Sequence, residues 1–153
     1  MIIKIERKIT NRLYTEGKII VNGKPIANTE ENTCTMLPGG IYHIQLRYAA
    51  EHERYIAILA EPLKGMLHVP NTLSKIYASG SYLNARKHNV ICIGEPLIPG
   101  ALTKGGKILS RLIDRIEKAE ARHEAVSLII SDDDVRSVAP ARHWFESSKH
   151  ELV

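Results

Sequence analysis

The chain has 153 residues, of which 44% are hydrophobic, 25% charged and only 5% aromatic, with a net charge of +4. That length suffices for one domain with a real core and is short for two, and the scarcity of aromatics leaves the core to branched aliphatics. The two cysteines, Cys34 and Cys92, exclude a disulfide framework, and with no CxxC or Cys/His cluster neither a metal nor a cofactor is expected.

The N-terminal Met1-Ile2-Ile3-Lys4-Ile5-Glu6-Arg7 alternates with charge at once. It lacks the basic segment and apolar run of a signal peptide, and no stretch approaches the roughly 18 apolar residues of a membrane span. A soluble protein is expected, kept in the host cytoplasm or packaged from there into a virion, with no membrane partner. Residues 18–27 hold a hairpin signal, because Asn22-Gly23 readily takes the positive φ angles of a type I′ turn. Pro38-Gly39-Gly40 breaks the chain before a run in which Tyr42, Ile44, Leu46 and Tyr48 alternate with mostly polar neighbours, the pattern of a half-buried strand. Residues 54–60 and 65–69 are two further short apolar runs, the second stopped by Pro70. Residues 71–88 are rich in Ser, Asn and Gly and read as a long loop with a helical turn near 82–86.

A strand is expected over 89–93, then an extended connection through Glu95-Pro96-Leu97-Ile98-Pro99-Gly100, where the prolines forbid a helix. The following helix is legible from its stripe: Ile108, Leu109, Leu112, Ile113, Ile116 and Ala119 share one face, with Lys107, Arg111, Asp114, Glu117 and Lys118 off it. Residues 125–130 form an apolar strand, central because both its faces are apolar. From Ser131 onward the chain turns polar, so the expected organisation is one globular unit over 1–131 and a loosely attached tail over 132–153. The fold class is α+β: a β-rich domain of short antiparallel strands, barrel- or sandwich-like, with one long amphipathic helix.

Basic residues are dispersed at Arg7-Lys8, Arg86-Lys87-His88, Lys104 and Lys107, and the lone Trp and Phe sit together at Trp144-Phe145. Nucleic-acid binders concentrate charge and interleave it with stacking aromatics, so nucleic acid is not the expected partner.

Three strings taken in order carry a family resemblance: Tyr14-Thr15-Glu16-Gly17-Lys18-Ile19-Ile20-Val21-Asn22-Gly23, Leu37-Pro38-Gly39-Gly40-Ile41-Tyr42 and Leu67-His68-Val69-Pro70-Asn71-Thr72. With Ile93-Gly94-Glu95 and Ser110-Arg111-Leu112-Ile113, the chain up to about Ile130 resembles a small domain of phages and Bacteroidales, the domain of unknown function 5675. The resemblance implies a phage or phage-derived origin. In that family the third string usually reads Ile-His-Ser-Gly-Asn-Thr and a Gly-Cys-Ile string follows, an order similar to that of the L,D-transpeptidases of peptidoglycan. There a Cys attacks a peptide carbonyl with His as base, which needs a thiolate and backbone N–H groups for the oxyanion.

His68 matches the family's His, which makes His68 and Cys92 the candidate catalytic pair for a cell-wall peptidase or transpeptidase. Registered on Ile93-Gly94-Glu95, however, Val90 stands where the family's Cys falls, and Val69-Pro70 replaces the small Ser-Gly pair. Val90 and Cys92 share one face of their strand. A buried hydrophobe is the alternative role for Cys92. The preferred expectation is therefore an accessory protein that acts by binding, as a virion component or an antagonist of a host factor. Its candidate binding residues are Arg86, Lys87 and His88 with the aromatic faces of Tyr77 and Tyr82, together with Asn71. Cations beside aromatic rings suit a phage or host protein with an acidic patch, or an anionic small ligand. Glu30-Glu31 and Glu61 offer a general acid, with exposure between strands the default, and Asp132-Asp133-Asp134 offers ligands to a hard cation, an acidic turn or helix N-terminus being the commoner role.

Overall fold

The structure, a computed structural model, describes residues 1–49, 54–60, 74–88 and 90–141. Strands β1 (Ile2–Thr10), β2 (Tyr14–Val21) and β3 (Lys24–Asn32) form an antiparallel meander. Asn22 and Gly23, at φ 47° and 85°, make the tight turn between β2 and β3 that the Asn-Gly pair dictates. Strands β4 (Gly40–Ala49) and β5 (Arg54–Ala60) form the next hairpin.

Residues 71–88, read from sequence as a long loop with a helical turn near 82–86, contain β6 (Ser74–Ala78), β7 (Gly80–Ser81) and helix α1 (Tyr82–His88). The polar composition of this stretch hides β6, which is held by neighbours distant in sequence: β5 on one side and β8 (Val90–Ile98) on the other. Strand β9 (Ala101–Thr103), the 16-residue helix α2 (Gly106–Ala121), β10 (Ser127–Ser131) and β11 (Arg136–Ser137) complete the order.

The sheet runs β3-β2-β1-β10-β4-β5-β6-β8, and β8 also pairs with β3, so the pairings return on themselves around a curled sheet. It is mixed rather than antiparallel throughout: β1–β10, β1–β11 and β6–β8 are parallel, each joined by a long crossover. The fold is thus β-rich and broadly α+β.

Alternation along the strands turns Ile3 and Ile5, Ile19 and Val21, Tyr42 and Ile44, Ile91 and Ile93, and Leu128 and Ile130 into one buried cluster. Helix α2 packs there through Leu109, Leu112, Ile116 and Ala119, which recur at three- and four-residue spacing. Val126, Leu128 and Ile130 belong to the same cluster.

The polar segment after Ser131 is attached through residue 141. Arg136 and Ser137 extend along Ile9 and Thr10, the Val138 N–H donates to the Thr10 carbonyl at 3.0 Å, and the Ala141 N–H donates to the Tyr14 hydroxyl at 2.9 Å. No described helix is long and apolar enough to cross a membrane.

Candidate functional site

The chemistry of this chain gathers on the outer face of β2, β3 and β8, opposite the main core. Register alone sets a row across the sheet: Glu16 on β2 opposes Glu30 on β3, Glu30 opposes Cys92 on β8, and Cys92 opposes Tyr77 on β6. Cys92 belongs to a second small cluster with Ala85, Val90 and Leu102, and half-buried Tyr77 packs against it. Period-two alternation produces the split, sending Ile91 and Ile93 inward and Val90 and Cys92 outward.

Cys92 is fully buried, with 0% exposure. Burial, and then the neighbouring carboxyls of Glu30 and Glu31, push its thiol up to about 12. Among the described residues, the surroundings of the sulfur therefore oppose a thiolate, the species a nucleophilic cysteine needs. A Cβ built on Gly80 would come within 3.2 Å of the sulfur, so the backbone closes tightly over it. His68 and Asn71 lie outside the described residues, as do 65–69 as a whole.

Glu30 and Glu31 are both buried, at 0% and 1% exposure, where solvated charges were expected from sequence. They meet opposite fates because adjacent strand residues face opposite ways. Glu31 points toward β1 and receives the Arg7 guanidinium through two bonds of 2.9 Å, and Arg7 also donates to the Leu37 carbonyl at 2.6 Å. Neither carboxyl oxygen of Glu30 has a hydrogen-bond partner among the described residues. Burial, followed by Glu16 and Glu31, raises Glu30 to about 11. Glu30 is thus a neutral acid at physiological pH, kept so by desolvation and like charge. The alternation Ile3, Ile5, Arg7 was the available signal, since it places Arg7 on the core face, where a cation requires a buried carboxylate partner.

Asp132 caps the same group, 3.3 Å from Arg7 Nη1, which makes it an anchor for the C-terminal segment. Among the described residues, no group of three or more His, Cys, Asp and Glu side chains is placed to hold a metal ion.

The expected basic and aromatic surface is only partly assembled. Arg86 is exposed on α1, and Lys87 and His88 follow it in the same helix. Tyr82 is a correction: it is 3% exposed and faces inward, its ring centroid 5.6 Å from that of Tyr14, so its ring is not part of the exposed surface. The three-residue spacing of Tyr82 and Ala85 turns both inward, leaving Leu83, Asn84 and Arg86 outside.

A cleft of about 420 Å³ adjoins the acidic row. Its floor is the outer face of β1, β2 and β3, with Lys8, Ile9, Glu16, Lys18 and Asn28, and its wall is the β8–β9 hairpin from Pro96 to Pro99 with Leu102. The β1–β2 register slips between Arg7 and Ile9, so the consecutive side chains Lys8 and Ile9 both reach this cleft. Gly17 opposes Arg7 across the slip, and a Cβ there would fall 2.3 Å from the Glu6 carbonyl oxygen, so β1 and β2 approach closely at this point. The Glu16 carboxylate accepts from the Gly100 N–H at 3.2 Å, tying the hairpin turn to the floor.

Comparison of the chain with protein-family models, with curated proteins and with solved structures finds no match.

Proposed function

We propose that this chain is a phage-type accessory protein that acts by binding a protein partner, as a virion component or an antagonist of a host factor, and not through a cysteine nucleophile. The observation carrying the reading is the state of Cys92: buried, aligned with a protonated Glu30, and held far from the thiolate. An acyl-transfer cysteine instead needs a neighbour that withdraws its proton and a route for the substrate carbonyl. The phage assignment rests on the order of the motifs at 14–23, 37–42 and 67–72 described above.

The outer face of α1, with Leu83, Asn84 and Arg86 exposed, supports contact with an acidic partner surface, since an apolar and amide surround strengthens a guanidinium–carboxylate bond. Two measurements test the reading. The purified protein, incubated with peptidoglycan stem peptides, should release no amine product, and Cys92→Ser should behave identically. Charge reversal at Arg86 and Lys87 should abolish co-purification of the native partner while leaving the melting temperature unchanged. Peptide turnover that disappears in Cys92→Ser would overturn the proposal.

A further inference from the structure

We infer that the cleft between the β1–β3 floor and the β8–β9 hairpin is a binding site for a small amphiphile, an apolar body bearing one anionic group. The volume of about 420 Å³ lies in the range of small-molecule sites. Its two sides differ in chemistry. The hairpin wall is apolar, built from Pro96, Leu97, Ile98, Pro99 and Leu102, and Leu97 stays 61% exposed at its rim.

The floor is charged, and its charges are unequally engaged. Lys8 is held by Glu6 at 2.9 Å, and Glu16 is drawn back by the Gly100 N–H at 3.2 Å. Lys18 lines the cleft, is exposed, and makes no ion pair among the described residues. The uncommitted charge facing the apolar wall is therefore positive. An anionic head on Lys18, with Asn28 beside it as a further donor, would lay an apolar body against the proline and leucine wall.

Three local features shape the cleft. The register slip at Lys8 puts two side chains on one face, Gly17 allows β1 and β2 to approach closely beside it, and Gly94 allows β8 and β9 to do so where the β3–β8 pairing ends. At Gly94 a Cβ would fall 2.5 Å from the Thr103 carbonyl oxygen, so the hairpin stays closed on itself while diverging from β3 after the Asn28–Gly94 pair. The inference extends the binding reading but uses separate residues, so a reactive Cys92 would leave it standing and an empty cleft would leave the thiol result standing.

The probe is 8-anilinonaphthalene-1-sulfonate, an apolar body with one sulfonate, titrated fluorimetrically against the natively folded full chain. Saturable one-to-one binding is expected, weakened at least tenfold by Lys18→Glu and by Leu97→Asp, both exposed positions whose replacement should leave the melting curve unchanged. Decanoate should displace the probe at least tenfold more effectively than decanol, which shares the chain but lacks the charge. Non-saturable fluorescence, binding indifferent to both substitutions, or equal displacement by decanol would overturn the inference.

Discussion

Arg7 on β1 and Glu31 on β3 are joined by two bonds of 2.9 Å, Nε to Oε2 and Nη2 to Oε1, with each side chain 1% exposed. The forked geometry satisfies a guanidinium that the core would otherwise not tolerate. Replacing Arg7 by Met strands the carboxylate and should cost roughly 3–5 kcal/mol, read from urea unfolding. The double variant Arg7→Met, Glu31→Leu should regain most of that loss, because it removes both charges together. Equal instability of the single and double variants would mean that the pair is not the reason Arg7 is buried.

Glu30 sets a dependence on pH with a definite sign. Its native carboxyl is raised from 4.5 to about 11, so between those limits the native state keeps a proton that the unfolded chain has released. Stability therefore falls as pH rises through that window, by up to about 1.4 kcal/mol per pH unit from this group, and the penalty vanishes below the unfolded value. Glu30→Gln should be more stable than the parent at pH 8 and close to it at pH 4. Parallel stability–pH curves for the two proteins would contradict the neutral-acid assignment.

Leu112 is 1% exposed in the middle of the α2 stripe. Leu112→Asp would place an unpaired carboxylate in the main core and should cost several kcal/mol, enough to unfold a marginal domain. Loss of the cooperative melt by circular dichroism is the expected result. A variant that melts like the parent would place the stripe outside the core.

What was legible in the sequence was local. Asn22-Gly23 specified its turn, the Tyr42 to Tyr48 alternation specified β4, and the spacing of Leu109, Leu112 and Ile116 specified the buried face of α2. β10 was legible as central and lies between β1 and β4. What was not legible depended on distant partners. β6 is a strand because β5 and β8 flank it, although Ser74 and Lys75 carry no strand preference of their own. The segment after Ser131 looked detached because its ties, Asp132 to Arg7 and Arg136 to Ile9, span more than 120 residues of sequence. Glu30 and Glu31 looked solvated for the same reason: the cation for one, and the like-charged neighbour for the other, come from other strands. The candidate pair His68 and Cys92 is visible in sequence only as order, and the burial that governs Cys92 comes from α1, β3 and β9.

The reactivity of Cys92 is the most direct measurement of whether this chain works by binding or by nucleophilic chemistry. Cys34 is exposed, so Cys34→Ser isolates the buried thiol. Iodoacetamide labelling of that variant is then followed by mass spectrometry from pH 6 to pH 9, with a urea-unfolded control. The native protein should label orders of magnitude more slowly than the control at every pH, at a rate that tracks the unfolded fraction and follows the control's own rise with pH. Rapid native labelling with an inflection near neutral pH would reveal an accessible thiolate and return the chain to the cysteine enzymes.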